Sequence, residues 1–300
     1  MHPDQLVLTV GTVSELVADQ FPQWRDLAIT PVTSHGTVNM LFRLGEQYVL
    51  RFPLEPGEPA DKKAWLTAEA DAARRLLGRV PVPTPEPVAL GEPGHGYPVP
   101  WSVYRWLPGA IAGEPGIADS KDFACDLAAF VLAVRSIDTE GRTFNGGGRG
   151  GLLPSQDDAV DRYLAASHGM IDVAALTELW ARLRQAPRES AKDVWTHGDL
   201  MPGNLLVRDG RLGGVIDVGG LAPADPALDL MPAWNLMGPA ARATYRTAVS
   251  VEDSEWERGK GWAFAQAIGA LAYYRVTNPV MSKTARRTLL ALLADATISR

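Results

Sequence analysis

Two neighbouring segments carry the densest pattern of acidic and amide side chains in this chain: Trp195-Thr196-His197-Gly198-Asp199-Leu200-Met201-Pro202-Gly203-Asn204 and Gly214-Val215-Ile216-Asp217-Val218-Gly219-Gly220. Between them, two short apolar runs flank Arg208-Asp209-Gly210-Arg211, a turn that contains Asp-Gly. This pattern predicts two paired strands. The hairpin would bring Asn204, just before its first strand, close to Asp217, just after its second.

The spacing of Asp199, Asn204 and Asp217 is typical of phosphoryl-transfer sites. In kinases an Asp in a loop is followed five positions later by an Asn, and a second Asp precedes a glycine after the next hairpin. An Asn and an Asp supply two hard oxygen ligands for Mg²⁺ with a single negative charge. A carboxylate outside the metal shell can orient a hydroxyl nucleophile or accept its proton. We therefore predict Asn204 and Asp217 as metal ligands and Asp199 as the catalytic carboxylate.

Together with the downstream Asp225-Pro226-Ala227-Leu228-Asp229-Leu230, these segments resemble the aminoglycoside phosphotransferase family and its macrolide and other antibiotic kinase relatives. The resemblance implies an α+β, protein-kinase-like fold of two lobes, in which an antiparallel sheet lobe with a helix precedes a mainly helical lobe. It also implies that His197 braces the catalytic loop and that Asp229 anchors the same loop from a helix. Both of these roles are structural.

The pattern of the N-terminal third predicts a sheet followed by a helix. Residues 39–44 and 48–52 are runs of aromatic and aliphatic residues separated by Gly45-Glu46-Gln47, which predicts a hairpin. Residues 60–77 show helical spacing of Ala64, Trp65, Ala68, Ala72 and Leu76, and Gly78 follows as a helix stop. We expect a nucleotide-binding lobe at 1–105 and a helical lobe with the catalytic loop and the acceptor site at 106–300.

The family resemblance assigns nucleotide contacts within this first lobe. It implies that Arg51, on the third strand, pairs with Glu69 on the following helix and holds the α- and β-phosphates through charge-assisted hydrogen bonds. The turn over the phosphates would be Ser34-His35-Gly36-Thr37, and the hinge that binds the base would be Tyr104-Arg105-Trp106-Leu107.

Three departures from kinase patterns stand out. An Arg replaces the usual Lys, and the two are not interchangeable in shape or hydrogen bonding. The covering turn has one glycine where G-x-G-x-x-G has three. Val218 replaces the Phe of the DFG motif without touching the metal ligand.

Composition narrows the class of protein. The chain has 300 residues, 46% hydrophobic and 21% charged, with a formal charge of −6, which argues against nucleic acid as its main partner. The absence of a long apolar run and of a secretory signal predicts no membrane contact and a cytoplasmic location. The single Cys125 excludes an internal disulfide, and its position in a helical stretch predicts a buried thiol. A monomer and a homodimer both fit the sequence.

Four residues are candidates for binding the acceptor, which is expected to be a small hydroxylated molecule and, given the acidity of the chain, to suit a cationic one. They are Asp157, Asp161, Glu255 and Trp262. A solvated helix face explains the acids equally simply, and core packing explains Trp262. The glycine-rich segment 145–151 is most simply a flexible connection, although Arg149 near a phosphate site is an alternative.

Three functions remain open at this stage. The leading one is a kinase that moves the γ-phosphoryl group of ATP or GTP, with Mg²⁺, to a hydroxyl of an antibiotic such as an aminoglycoside, a cyclic peptide or a macrolide. The second keeps the fold but acts on a metabolite such as choline, a sugar or an amino-acid alcohol. The third is a nucleotide-binding module without transfer activity. The sequence does not identify the acceptor, and it does not distinguish between ATP and GTP as the nucleotide.

Overall fold

The computed structural model of the chain describes residues 5–33, 38–113, 116–188 and 192–298. The helices are α1 (Val10–Gln20), α2 (Pro59–Leu76), α3 (Lys121–Ser136), α4 (Asp157–Ala166), α5 (Val173–Leu183), α6 (Pro232–Asn235), α7 (Pro239–Val249), α8 (Asp253–Tyr273) and α9 (Pro279–Ile298). The strands are β1 (Ile29–Val32), β2 (Asn39–Leu44), β3 (Tyr48–Pro53), β4 (Pro87–Gly91), β5 (Trp101–Arg105), β6 (Ala110–Ile111), β7 (Val194–Thr196), β8 (Leu205–Arg208), β9 (Arg211–Val215) and β10 (Ala222–Ala224).

The chain divides into two compact units. The first contains the residues up to Leu77, Pro83–Pro108 and Val215–Gly219, and the second contains Gly78–Val82, Gly109–Gly214 and the residues from Gly220 onward. The segment Val215–Gly219 therefore belongs to the first unit, although the segment before it in sequence, Gly109–Gly214, belongs to the second. A simple division after residue 105 stays a prediction.

The first unit is built on an antiparallel sheet with the strand order β1-β2-β3-β5-β4. The predicted hairpin between β2 and β3 is confirmed, because Leu44 pairs with Tyr48 across the turn at 45–47. Side chains of a strand alternate between the two faces of a sheet. One face buries a core of aliphatic and aromatic residues from α1, the sheet and the segment before β5: Val13, Leu16, Val17, Phe42, Leu44, Leu50, Phe52, Tyr97, Val99, Trp101 and Val103.

Helix α2 begins with Pro59 in its first turn, which suits a residue that lacks an amide hydrogen. Its buried face consists of Leu66, Glu69, Ala70, Ala73 and Leu76. The helix itself was predicted correctly, but the predicted apolar face was rotated, since Trp65 is 39% exposed and Ala64 and Ala68 are exposed as well. The helix turns a charged residue inward, which a pattern of apolar spacing cannot anticipate.

The second unit is mainly helical and carries two small sheets, in which β10 pairs with β7 and β8 lies between β6 and β9. The turn between β8 and β9 is Asp209-Gly210, whose φ angles of 54° and 73° are those of a two-residue hairpin turn with both residues left-handed. The predicted hairpin is thus confirmed. Together with the sheet of the first unit, the helices of the second confirm the α+β class.

Helix α3 corrects one expectation. Its buried face runs through Phe123, Leu127, Phe130 and Val134, at helical spacing, whereas Cys125 is exposed. The prediction of a buried thiol was wrong, because Cys125 lies on the solvent side of an amphipathic helix. Within the part of the chain that the structure describes, no helix combines the length and the apolar character that crossing a bilayer requires.

We expect Phe52→Ala to lower the free energy of unfolding of the first unit by about 3–5 kcal/mol, the usual cost of truncating a buried aromatic residue. The ring is fully buried, stacks on Trp101 at 4.8 Å between centroids, and meets Tyr97 edge-on at 5.3 Å. Urea unfolding monitored by tryptophan fluorescence measures the change. Val88→Ala, at a residue that is 37% exposed on β4, is the matched control, and an equal loss in both variants would contradict this account of the core.

Candidate active site

The segment that carries Asp199 is held in place by hydrogen bonds from its backbone to the carboxylate of Asp229. One oxygen, Oδ2, accepts the backbone N–H of His197 at 2.7 Å, and the other accepts the backbone N–H of Gly198 at 2.8 Å. Asp229 is fully buried in a short 3₁₀ helix, and the hydroxyl of Tyr245 donates to its backbone carbonyl at 2.9 Å. Burial raises the pKa of this carboxyl above its usual range, while the nearby His197 and the two backbone amides oppose the rise.

His197 is completely buried, and its Nδ1 accepts the backbone N–H of Asp199 at 3.3 Å. The side-chain amide of Asn235, on α6, donates to the carbonyl of Leu200 at 3.0 Å. Hydrogen bonds within the second unit therefore hold the backbone of His197, Asp199 and Leu200. The geometry supports the predicted bracing contacts of His197 and Asp229, whose part in catalysis remains a proposal.

Three donors converge on the carboxylate of Asp199. Its Oδ1 accepts from Gln266 Nε2 at 2.8 Å and from Arg149 Nη2 at 3.0 Å, and its Oδ2 accepts from Asn204 Nδ2 at 3.0 Å. A carboxylate oxygen accepts about two hydrogen bonds, so Oδ2 retains a free lone pair. The side chain of Asp199 is 41% exposed. It is thus both oriented and accessible, as a group that handles a hydroxyl must be.

Asn204 ends the 3₁₀ turn Pro202–Asn204, which precedes β8. Its amide nitrogen donates to the backbone carbonyl of Asp199 at 2.8 Å as well as to the carboxylate. Because the nitrogen is committed to Asp199, the amide oxygen is the atom left for a cation. This arrangement fits the predicted metal ligand.

A cavity of about 290 Å³ opens at Asp199 within the second unit. It is lined by Phe144, Asn145, Gly147, Arg149, Thr196, His197, Gly198, Asp199, Gly220, Ala222, Ala224 and Leu228. Among these described residues, Asp199 is the only carboxylate and Arg149 the only Lys or Arg. The two compensate each other's charge, which leaves the wall of the cavity without excess negative charge.

In the first unit, Arg51 on β3 forms an ion pair with Glu69 on α2. The side chain of Glu69 is 2% exposed, and burial raises its pKa, a shift that Arg51 opposes by charge and by hydrogen bonding. The guanidinium of Arg51 also lies 5.3 Å from the centroid of the Tyr104 ring. The predicted pair therefore exists, in a largely desolvated setting where neither charge is tolerated without the other.

Asp217 lies in the same unit, with its Oδ1 3.7 Å from Arg51 Nη2. Its side chain is 53% exposed, and its φ of 60° is a left-handed conformation that Asp adopts more readily than most residues. A Cβ added to Gly219 would come within 3.0 Å of the Cγ of Glu69, so the backbone after Asp217 passes directly over the ion pair. Asp217 consequently presents an accessible carboxylate beside the guanidinium of Arg51.

Of the residues predicted to contact the nucleotide, the structure describes the hinge but not the turn over the phosphates. Ser34, His35, Gly36 and Thr37 lie outside the described residues. The backbone N–H of Arg105 donates to Glu86 O at 2.9 Å, and that of Trp106 donates to Gln47 O at 2.7 Å. Within the described part of the chain, the amide of Leu107 has no intramolecular acceptor and is thus available to donate to a ligand.

Three buried polar atoms on this face of the sheet have no hydrogen-bond partner among the described residues: Glu69 Oε2, Ser102 Oγ and the Tyr104 hydroxyl. Burial raises the pKa of Tyr104 to about 12. Ser102 and Tyr104 line a small cavity of about 50 Å³. Unsatisfied buried polar groups call for an explanation, and a polar ligand or ordered water next to them supplies one.

The predicted acceptor residues do not gather at Asp199. Asp157 accepts from Arg184 and from Trp180 Nε1, and the hydrogen bond from Arg184 lowers the pKa of its carboxyl. Asp161 is exposed on α4. Glu255 pairs with Arg135 at 2.9 Å, and Trp262 is fully buried. Core packing, which the sequence also allowed, accounts for Trp262, and ion pairs account for Asp157 and Glu255. None of the four residues lines the cavity at Asp199.

Sequence reasoning missed Gln266 and Asn235 and left Arg149 as an alternative. Gln266 lies on α8, 67 positions from Asp199, and nothing in the local spacing around either residue indicates their contact. The one available signal was the position of Arg149 between two glycines, in a segment whose glycines allow close packing of the backbone.

The residues present fit a magnesium–nucleotide complex in their chemistry. In the described ranges, no group of three His, Cys, Asp or Glu side chains is arranged to hold a metal. Asn204 would offer an amide oxygen and Asp217 a carboxylate, both of which are oxygen ligands of the kind that Mg²⁺ prefers. Arg51 offers a planar guanidinium of the kind that binds phosphate.

Comparison with known proteins gives a consistent picture. The model of a family described as "Phosphotransferase enzyme family" matches residues 29–268. An aminoglycoside 3'-phosphotransferase of Salmonella typhimurium is 31% identical over 154 residues, which cover 46% of this chain and 53% of that protein. One of Streptomyces fradiae is 30% identical over 197 residues, 59% of this chain and 66% of that protein. The match thus spans about half to two thirds of the length of these relatives.

Solved structures share the fold at lower identity. The GDP complex of wild-type aminoglycoside 2'-phosphotransferase-IIIa has a TM-score of 0.70 and 20% identity, covering 96% of this chain and 100% of its own. Macrolide 2'-phosphotransferase MphH from Brachybacterium faecium has a TM-score of 0.62 and 20% identity, covering 94% and 98%. The protein-kinase-like fold of such enzymes is therefore also that of this chain.

We expect Asp229→Asn to lower the free energy of unfolding by about 1–3 kcal/mol, since the Asn nitrogen would face one of the two amide hydrogens and leave a buried donor unpaired. Thermal unfolding measures the loss. The control is Asp253→Asn, at an exposed residue whose pairing with Arg246 is worth little. Equal stability of Asp229→Asn and the wild type would contradict the assigned hydrogen bonds.

Proposed function

The chain belongs to the phosphotransferase enzyme family, and from that membership we propose that it transfers the γ-phosphoryl group of ATP or GTP to a hydroxyl of a small molecule. The observation that carries the proposal is the carboxylate of Asp199, which three donors orient at the mouth of a cavity of about 290 Å³. Fixed donors around an accessible carboxylate are what the positioning of a hydroxyl nucleophile requires.

In the proposed reaction, the free lone pair on Asp199 Oδ2 accepts the hydrogen of the acceptor hydroxyl. This contact aims the oxygen at the γ-phosphorus and takes up the proton as the new bond forms. Asn204 and Asp217 would hold Mg²⁺, which when bound neutralises charge on the phosphate oxygens. Both residues carry the oxygen donors that this ion prefers.

Arg51 is proposed to hold the α- and β-phosphates, with Glu69 keeping its guanidinium in place. The near-complete burial of Glu69 supports this, because a carboxylate so desolvated needs its partner and fixes the position of that partner. The amide of Leu107 is proposed to bind the base. Since nucleoside triphosphates are made and kept in the cytoplasm, we propose that the protein acts there.

We propose an antibiotic as the acceptor, because the relatives are aminoglycoside and macrolide phosphotransferases. Among the three antibiotic classes considered, the cavity favours an acceptor with few amino groups, because its single carboxylate is already compensated by Arg149. A macrolide meets that condition better than an aminoglycoside. A metabolite kinase remains the second candidate, since choline, a sugar or an amino-acid alcohol is small enough for a cavity of about 290 Å³.

Two substitutions separate the proposed roles. Asp199→Asn should lower kcat by about 10²–10⁴-fold and leave the nucleotide affinity within a few-fold, because the lost group acts on the hydroxyl alone. Asp217→Asn should instead raise the Mg²⁺ concentration needed for half-maximal rate, since it removes a charged metal ligand. Steady-state kinetics across a Mg²⁺ titration measure both. Asp209→Asn, at a 91% exposed turn residue, is the control, and undiminished turnover in Asp199→Asn would refute the assignment.

The acceptor is identified by a panel. An aminoglycoside, a macrolide and a cyclic peptide are each offered with ATP and then with GTP. We expect nucleoside diphosphate to be released faster than in the absence of an acceptor. The macrolide should give the highest rate, because the cavity wall carries no excess negative charge. Choline, a sugar and an amino-acid alcohol complete the panel. Turnover of a metabolite alone would replace the antibiotic assignment. Magnesium-dependent nucleotide binding without any transfer or hydrolysis would favour a non-catalytic module.

A further inference from the structure

The glycine-rich segment 145–151 is fixed in place at several points, contrary to the expectation of a flexible connection. Phe144 N–H donates to Asp193 Oδ2 at 2.7 Å before the segment, and Gly150 O accepts the N–H of Asp225 at 2.7 Å near its end. Gly148 O accepts from Gln156 Nε2 at 3.1 Å. Gly150 has a φ of 112°, and an added Cβ would lie 2.5 Å from the Cβ of Ala224. The backbone on both sides of Arg149 is therefore set by close packing.

The result of this packing is a guanidinium at the candidate catalytic carboxylate. Arg149 Nη2 donates to Asp199 Oδ1 at 3.0 Å and to Gly198 O at 3.2 Å. A guanidinium has five N–H donors. Within the described part of the chain, both hydrogen bonds of Arg149 use Nη2, so the Nε donor and the two Nη1 donors remain for a ligand. The side chain lines the cavity and is 28% exposed.

The chemistry proposed for this site would be favoured by a cation at this place in addition to Mg²⁺. During transfer, negative charge is spread over the three equatorial oxygens of the phosphoryl group. The segment from His197 to Asn204 contains no Lys or Arg that could meet it. When the acceptor hydroxyl is hydrogen-bonded to Asp199 Oδ2, only the hydroxyl oxygen separates the carboxylate from the phosphorus that it attacks. A guanidinium bonded to the other carboxylate oxygen is within hydrogen-bond reach of the phosphoryl group.

Resting on the proposed function, we propose that Arg149 is a further catalytic residue, which binds the phosphoryl oxygens through its free Nε and Nη1 donors while the group is transferred. The acceptor oxygen forms a bond to the γ-phosphorus as the bond to the β–γ bridging oxygen breaks. That oxygen leaves with the electron pair as part of the nucleoside diphosphate. The hydroxyl proton passes to Asp199 Oδ2 and then to water. Arg149 keeps its charge throughout.

The alternative roles of Arg149 are a purely positioning contact with Asp199 and a contact with the acceptor. Gln266 donates to the same oxygen of Asp199 but is neutral, so it isolates the positioning role. Transfer to water, the basal hydrolysis of the nucleotide, has no acceptor molecule and so isolates the phosphoryl group. The complex of nucleoside diphosphate, Mg²⁺ and aluminium fluoride mimics the transferring group without any reaction.

The experiment measures basal hydrolysis of ATP and GTP by the whole chain, and the affinity for nucleoside diphosphate with Mg²⁺ and aluminium fluoride, by calorimetry. Arg149→Gln should lower kcat for hydrolysis by about 10²–10³-fold, the usual effect of losing one donor to developing charge. The affinity for the fluoride complex should fall by a similar factor, and the affinity for nucleoside diphosphate alone should stay within a few-fold. Arg149→Lys should restore part of both losses.

Two comparison variants and three outcomes decide the matter. Arg142→Gln, at an exposed residue paired with Glu140, should behave as the wild type, and Gln266→Ala should change the rate without changing the affinity for the fluoride complex. Loss of rate in Arg149→Gln with unchanged fluoride affinity would reduce Arg149 to a positioning residue and overturn the proposal. An effect confined to transfer onto hydroxyl acceptors would overturn it too. A wild type without magnesium-dependent hydrolysis or transfer would remove the proposed function itself.

Discussion

The buried carboxylate of Asp229 is the contact on which the geometry of the candidate site depends. It accepts the amides of His197 and Gly198, and so fixes the backbone just before the Gly198 carbonyl, which receives Arg149. The next side chain along is Asp199. A carboxylate in this setting cannot be exchanged for an apolar group, because two amide donors would be left buried and unpaired. The burial that raises its pKa is thus tolerated for the order it gives to the loop.

A second constraint of the same kind governs the first unit. Glu69 points inward from α2, and the helix is rotated accordingly, so that Trp65 faces solvent although it is the largest apolar residue of the helix. Arg51 compensates the buried charge from β3. Removing either partner would leave a desolvated ion. In both units, then, a buried acid determines the position of a group that can face a ligand.

Local spacing predicted what depends on adjacent residues, whereas the long-range contacts that were predicted, such as the pair of Arg51 and Glu69, came from the family resemblance. The hairpins, α2 and the segment with Asp199 follow from turn chemistry and local spacing, and the structure confirms the elements. The inward face of α2 was wrong because a charged residue occupies it, and Cys125 was wrong because helical spacing fixes a period but leaves the phase to neighbours. Gln266 reaches Asp199 from 67 positions away, a contact that no local pattern encodes.

Three donors bind Asp199: Arg149 from the packed loop, Asn204 from the 3₁₀ turn that follows Asp199, and Gln266 from the long helix α8. All three belong to the second unit, so the carboxylate is oriented without any contribution from a bound nucleotide. Under the proposed function, a carboxylate that is already oriented would not have to be ordered at the expense of the binding energy of the acceptor. An acidic net charge says nothing about this, because the only carboxylate among the described residues of the cavity wall is matched by a guanidinium. Under the proposed function, selectivity for the acceptor would therefore come from shape and neutral polar contacts rather than from attraction to a cation.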